Sequence, residues 1–202
     1  MFILNYATLV DPLLRDIRIY TVKFSGMKAG DRVLDVCCGT GDQAFYYAEA
    51  GITANGIDLD PNMLKLARKD KRKKALKNAS FQIADARNLP FKDSFFDYAS
   101  ISFALHEKER TARDKIISEM RRVVKKEGAL IFIDLQVPLP KNLFAYLIRA
   151  IEFVAGREHH RYFKDFIAQG GLDEILKKNQ LAEAKRDYLN DRLITIIKTG
   201  NP

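Results

Sequence analysis

Cysteine is nearly absent from this chain: of 202 residues only Cys37 and Cys38 carry a thiol, and they are neighbours. That usage argues against a secreted disulfide framework and for a reducing, cytoplasmic setting. Proline and glycine are also sparse, at six and eleven residues. No repeat or low-complexity segment breaks the pattern. Long apolar runs are missing as well, so nothing approaches a membrane span. Met1-Phe2-Ile3-Leu4 is apolar but lacks a basic flank, and Asp11-Pro12 ends it too early for a leader peptide.

What remains is 47% hydrophobic and 30% charged, which suits one α/β domain over residues 1–202 with a sizeable core. The net charge of +8 invites acidic partners. Its densest part is Lys65, Arg68, Lys69, Lys71, Arg72, Lys73, Lys74 and Lys77, which has no interleaved aromatic residues for base stacking. Cations also complement a helix C-terminus, so a solvated face is expected and nucleic acid is not favoured.

The chain is organised around Val33-Leu34-Asp35-Val36-Cys37-Cys38-Gly39-Thr40-Gly41-Asp42. Short β-favouring residues give a covered strand, two glycines give a bend, and Ala44, Phe45, Tyr47 and Ala48 open a helix. Such a loop presents a helix N-terminus to a ligand. Before it, residues 7–24 read as a helix crossing the same cleft, with Leu9, Leu13, Leu14, Ile17 and Val22 on one face and Tyr6 and Tyr20 within reach of a ligand or of a capping role. After it, strands are expected at 52–58, 80–85, 95–103 and 129–135. Helices fall between them, one opening at Asp60-Pro61 with Met63, Leu64, Leu66 and Ala67 inward. Two further strands, 182–189 and 192–198, meet at Asn190-Asp191 in a tight turn. The alternation predicts a mostly parallel seven-stranded sheet with helices on both faces and an antiparallel C-terminal hairpin. Between them, Leu143, Phe144, Leu147, Ile148, Ile151 and Val154 trace a stripe expected to pack on the core, or else to cover an apolar substrate.

Three of the strands end in Asp35, Asp58 and Asp85, placing three carboxylates on the sheet edge where open α/β sheets bind ligands. Gly39-Thr40-Gly41-Asp42-Gln43-Ala44 satisfies a dinucleotide pattern, and Asp58, 19 positions after Gly39, could bond a ribose diol. Carboxylates at the loop mouth repel a pyrophosphate, however. They suit S-adenosylmethionine (SAM), whose ammonium, sulfonium, ribose hydroxyls and adenine amine would face Asp35, Asp58 and Asp85 in turn. Leu59, Met63 and Ala86 would then hold the ring.

These segments resemble the class I SAM-dependent methyltransferases, and within them the ubiquinone/menaquinone biosynthesis C-methyltransferase group. Residues 33–42 are similar to the first motif and Gly56-Ile57-Asp58-Leu59-Asp60-Pro61-Asn62-Met63-Leu64 to the second. Ala84-Asp85-Ala86 with Leu89-Pro90-Phe91 is similar to the adenine-side motif. Ile101-Ser102-Phe103-Ala104-Leu105 is similar to the segment lining the methionine end, and Glu119 to Lys125 to the helix and turn before the fifth strand. The resemblance covers residues 30–135. It departs at Cys37, where a glycine is usual, and at Lys126-Glu127, which replaces Pro-Gly.

The resemblance implies a Rossmann-like fold. It further implies a cofactor site built from Asp35, Cys37, Gly39, Thr40, Gly41, Asp58, Leu59, Met63, Asp85, Ala86, Ser102 and Phe103. S-adenosylhomocysteine (SAH) would be the product. The acceptor is expected to be a small apolar or aromatic molecule, quinol-like or lipid-like, selected by residues 138–178, with peripheral membrane contact compatible. His106, just past the fourth strand, is the candidate general base, with a solvent-facing helix-start residue as the alternative. His159 and His160 have no metal-ligand partners at suitable spacing in the sequence, so no metal is expected. A SAM-binding subunit without transfer activity and a nicotinamide-linked oxidoreductase are the alternatives.

Overall fold

The computed structural model describes residues 11–154 and 156–202. Tyr6 and Leu9 lie outside them, as does the side chain of Leu13. The elements run α1 (Asp11–Ser25), β1 (Arg32–Val36), α2 (Asp42–Glu49), β2 (Thr53–Asp58), α3 (Pro61–Lys73), β3 (Ala79–Ile83) and β4 (Phe96–Ser102). A 3-10 turn (Leu105–Glu107) leads to α4 (Arg110–Val123), β5 (Val124–Leu135), α5 (Leu143–Val154), α6 (Arg157–Gln169), α7 (Gly171–Lys178), β6 (Glu183–Leu189) and β7 (Ile194–Gly200).

The seven strands form one sheet in the order β3-β2-β1-β4-β5-β7-β6. β1 to β5 pair parallel with one another, and β7 pairs antiparallel with both β5 and β6. The expected architecture is therefore present. The order reverses between β1 and β4, whose C-terminal ends border the crevice where doubly wound sheets bind ligands. Val33, Leu34 and Val36 are wholly buried, as apolar residues on a strand covered on both faces must be.

Local chemistry explains the boundaries. The side chain of Asp60 accepts from the Asn62 amide at 2.8 Å and caps α3, with Pro61 in the first turn. The loop after β3 is pinned from α4: the Leu89 amide donates to Glu119 at 2.7 Å, and Arg122 bonds the Leu89 and Phe91 carbonyls and pairs with Glu119 and Asp93.

Several expectations are corrected. Met63 and Leu66 stay exposed on α3, leaving Leu64 and Ala67 as its buried face. β3 stops at Ile83, so Asp85 sits two residues beyond the strand. β5 begins at Val124 rather than at 129, with a bulge against Phe96 and Tyr98. The segment after His159 is two helices, divided where Gly170 and Gly171 both take positive φ. The β6–β7 turn is wider than a two-residue hairpin, with Asn190, Asp191 and Arg192 all left-handed. The largest correction concerns α5. Of the stripe only Ile148 packs on the core, beside the buried Ala145: Leu143, Phe144, Leu147, Ile151 and Val154 are exposed, and Glu152 is 7% exposed.

Candidate functional site

A cavity of about 790 Å³ opens at the C-terminal ends of β1, β2 and β4. Such a volume lies within the roughly 300–1,000 Å³ typical of small-molecule sites. Asp35, Cys37, Gly39, Thr40, Asp58, Leu59, Met63, Asp85, Ala86, Ser102 and Phe103 all line it. Leu14, Ile17 and Arg18 of α1 close it from above, so α1 does cross the cleft. Tyr20, by contrast, turns away and hydrogen-bonds Asp187 of β6.

The loop is held by its own acids. The Gly39 amide donates to one oxygen of Asp58 at 2.9 Å, and the Asp60 amide to the other at 2.9 Å. A carboxylate has about four acceptor positions, so each oxygen keeps one free toward the cavity. Thr40 donates to Asp42 at 2.8 Å, and Arg18 lies 3.5 Å from the same carboxylate. Cys37 takes φ +56°, a conformation that favours glycine, and burial pushes its thiol up to about 12. Its side chain packs against the core.

The two glycines differ. Around Gly39 (φ +53°) no atom lies within 4 Å of where a Cβ would stand, leaving that space open to the cavity. At Gly41 (φ +81°) a Cβ would meet the Phe81 ring at 2.5 Å. Gly41 is therefore not at the cavity wall; it lets the loop settle on Phe81 and starts α2.

Asp35 is buried beneath the loop. Ser100 donates to its Oδ1 at 3.0 Å, while Oδ2 has no partner. Burial lifts its carboxyl to about 7, partly offset by the Ser100 bond and by Arg18. The repulsion of pyrophosphate thus rests less on Asp35 than on the whole wall. That wall holds Asp35, Asp42, Asp58, Asp60, Asp85 and Glu107 against Arg18, Arg87 and Lys108, six acids to three bases. In a chain of net charge +8 this is a local inversion. Ser102 Oγ, also buried and unpartnered, adds a second polar group without a partner at the wall. An ammonium-bearing, hydroxyl-rich ligand fits that donor and acceptor set.

Asp85 does line the cavity, but its carboxylate is held by Arg87 through Nε at 3.0 Å and Nη2 at 2.7 Å. That pairing keeps its pKa below the ordinary value. The Asp85-x-Arg87 spacing is the sequence signal for this pairing.

His106 is not at the cavity wall, although its neighbours Glu107 and Lys108 are. Nor does it face solvent: it is 5% exposed, with Nδ1 2.6 Å from Asp134 Oδ1. Asp134, buried in β5, also accepts from the Leu105 and His106 amides and so fixes the 3-10 turn. Burial alone would lower the imidazole pKa, yet Asp134, with Glu107 and Glu152, raises it to about 9. Held by Asp134 and set back from the cavity wall, it has no path to an acceptor in the cavity as a general base. Its Nε2 lies 3.7 Å from Glu152 Oε1, and His159 Nε2 lies 2.6 Å from Glu152 Oε2. Residues 53 positions apart in the chain, His106 and His159, thus acquire the shared partner that local spacing denied them. Arg113 holds α6 in place, donating to the Leu105 carbonyl at 2.9 Å and the Tyr162 carbonyl at 3.0 Å, and pairing with Asp165. An acid inside the apolar run 129–135, and another inside the stripe of α5, were the sequence signals for Asp134 and Glu152.

Residues 13–169 match the ubiE/COQ5 methyltransferase family. The chain is 34% identical over 178 residues to the demethylmenaquinone methyltransferase of Listeria welshimeri, covering 83% of this chain and 73% of that protein. It is 32% identical over 174 residues to the ubiquinone/menaquinone biosynthesis C-methyltransferase UbiE of Citrifermentans bemidjiense, covering 79% and 72%. Among solved structures, a SAM-dependent methyltransferase from Aquifex aeolicus superposes with a TM-score of 0.69 at 19% identity, over 90% of this chain and 88% of that one. The PH0226 protein of Pyrococcus horikoshii OT3 gives 0.74 at 18%, over 96% and 91%. Neither the nicotinamide-linked nor the non-catalytic alternative finds support in these likenesses. The chain belongs to the ubiE/COQ5 methyltransferase family and is a SAM-dependent methyltransferase.

Proposed function

We propose that this chain methylates a ring carbon of a small quinol-like acceptor in the cytoplasm, with residues 30–135 holding SAM and 138–178 selecting the acceptor within one domain. The observation that carries the cofactor assignment is the acidic wall, six carboxylates to three cations with one Asp35 oxygen unpartnered. When bound, SAM supplies an electrophilic methyl group on a sulfonium. Asp35 Oδ2 would take the α-ammonium, Asp58 the ribose diol through its two free acceptor positions, and Ala86, Leu59 and Met63 the adenine ring. Cys37, Thr40, Ser102 and Phe103 line the methionine end. Asp85 would accept from the adenine amine once Arg87, half exposed, swings aside.

The acceptor reading rests on the printed names of the relatives and on α5. The exposed apolar face of that helix is joined, through Glu152 and His106, to the turn whose Glu107 lines the cofactor cavity. The protein's main work in an in-line displacement is to align the acceptor with the methyl group and exclude water. A quinol carbon becomes nucleophilic as its neighbouring hydroxyl loses a proton, and Glu107, at the wall on the side of α5, would be a carboxylate available to receive it.

The test incubates the protein with SAM and either a reduced demethylnaphthoquinol or its oxidised quinone. Mass spectrometry should show a single methyl gained on the quinol and one equivalent of SAH formed. Methylation of neither quinol nor simple phenol, with SAH binding intact by calorimetry, would refute the acceptor class while leaving the cofactor assignment standing.

A further inference from the structure

Three donors outside the cofactor cavity converge on one point. One ring nitrogen of His106 from the 3-10 turn, one oxygen of Glu152 from α5 and one ring nitrogen of His159 from α6 lie within 4.8 Å of one another. Among the described residues this is the one such group of three. We propose that these residues form a site for a zinc-type divalent metal ion, which clamps α5 and α6 onto the end of the sheet.

Four observations support the assignment. First, the donor set is two imidazoles and a carboxylate, the chemistry that borderline divalent ions select and hard ions such as Mg²⁺ do not. Second, the spacing is that of ligands around a shared centre. His106 Nε2 lies 3.7 Å from Glu152 Oε1, while Glu107 Oε1 lies 3.8 Å from His106 Nε2 and 3.7 Å from His159 Nε2. These separations exceed a hydrogen bond and approach the edge of a tetrahedron of ligands about 2.0–2.1 Å from a metal, which is about 3.3–3.4 Å; His159 Nε2 and Glu152 Oε2, at 2.6 Å, lie inside that edge and would part slightly around an ion. Third, burial leaves donor atoms waiting. Glu152 is 7% exposed, and its Oε2 and His159 Nε2, although close, make no well-aligned hydrogen bond. A buried carboxylate in an apolar helix is costly unless it is paired or coordinates an ion. Fourth, His106 carries the outer partner common to metal-bound histidines: Asp134 at 2.6 Å holds Nδ1, leaving Nε2 to face the cluster.

The remaining position opens beside Glu107. A second cavity of about 500 Å³, lined by Glu107, Gly156, Arg157, Glu158, His159 and Tyr162, gives an ion a route from solvent. The clamp would hold α5 in the orientation that buries Glu152 together with Ala145. One bond from Glu152 to a metal already held by His106 and His159 fixes that rotation. Glu107 belongs to both cavities, so the clamp sits against the cofactor site without being part of it.

The experiment uses the full chain, stripped with a chelator, dialysed, and titrated with Zn²⁺ and separately with Co²⁺. The expected result is one Co²⁺ per chain with the intense visible bands of a tetrahedral site, displaced by Zn²⁺. Zn²⁺ should also raise the melting temperature and slow proteolysis within 143–169. Glu152→Gln, which preserves side-chain size, and His159→Asn, which removes the imidazole, should each weaken Zn²⁺ binding by about 100-fold or more, and Asp134→Asn by roughly 10–100-fold, as outer partners do. His160→Asn, the neighbouring control, should leave binding unchanged, and circular dichroism verifies the fold of each variant. Absence of stoichiometric Co²⁺ in the wild-type chain would overturn the proposal, leaving the cluster a buried ion-pair network. Equal weakening by His160→Asn and His159→Asn would overturn it too.

Discussion

In β1 the apolar residues Val33, Leu34 and Val36 are wholly buried, and Asp35 is buried among them. In α5 the apolar residues Leu143, Phe144, Leu147 and Val154 lie largely in solvent, while the acid Glu152 is sealed inside. Both elements bury one carboxylate, but for different reasons. Around β1 the sheet is covered on both faces, so backbone pairing and packing decide which side chains go in. Around α5 no second layer covers the outer face among the described residues. The helix orientation follows the polar cluster it reaches rather than the area it could bury. The sheet and α6 and α7 share one hydrophobic core, into which Phe163, Phe166, Leu172 and Leu176 are buried, whereas α5 gives that core only Ala145 and part of Ile148.

The sharpest way to break this contrast is to delete equivalent apolar volume in each half. Leu34→Ala should cost about 2–5 kcal/mol of stability, because it empties a site with no solvent access. Urea unfolding followed by circular dichroism measures it. A loss under 1 kcal/mol would mean that the sheet core is less committed than its burial implies. Next in size is Asp58→Ala, which strips the Gly39 and Asp60 amides of a charged acceptor and removes the proposed ribose contact. Charged hydrogen bonds are worth about 1.5–3 kcal/mol, so SAH binding by calorimetry should weaken roughly 10–100-fold.

The same contrast governs how much could be read in advance. β1, β2 and the glycine loop were legible because a covered parallel strand leaves only one reading of its apolar run. A proline after an acid, as at Asp60-Pro61, likewise leaves one reading of a helix start. The three acids at the sheet edge were legible as a set, and all three line the cavity. What each carboxylate already holds was not legible. Asp58 bonds loop amides and Asp85 bonds Arg87, and such contacts depend on turns a few residues long. α5 was misread because a helical apolar stripe reports a face, not what lies against it. The His106, Glu152 and His159 cluster was invisible because its members come from three elements that meet only when β5, the 3-10 turn and the two cap helices are assembled.

A smaller effect tests whether the buried acid of the sheet half serves the ligand. Asp35 has a folded pKa raised to about 7 by burial, above the usual aspartate value of about 3.9. The sign follows: the ligand-free protein gains from a protonated Asp35 at low pH, and that stability is lost as pH rises from about 4 through about 7. Ligand binding should run the opposite way. An ammonium needs the ionised carboxylate, so SAH affinity should climb by up to about tenfold per pH unit below 7 and level off above it. Asp35→Asn should flatten the profile at the low-affinity end. A wild-type affinity independent of pH between 5 and 8 would place the ammonium elsewhere.

The smallest effect on stability is expected in the cap half, and it separates the two regions most directly. Leu147 is about half exposed and Phe144 similarly so, and neither fills a cavity in the described structure. Exposed substitutions without such a role usually stay within about ±0.5 kcal/mol, so Phe144→Ser with Leu147→Ser should leave the unfolding midpoint unchanged. If the outward face of α5 guides an apolar acceptor, the same double variant should raise KM for a quinol while leaving SAH affinity at the wild-type value. The two readouts move independently only if the face contacts substrate and not the core. A fall in stability would show that α5 is covered by its own chain. Unchanged KM would remove the outward face of the helix from acceptor selection and leave Ala145, Ile148 and Glu152 as its inward contacts.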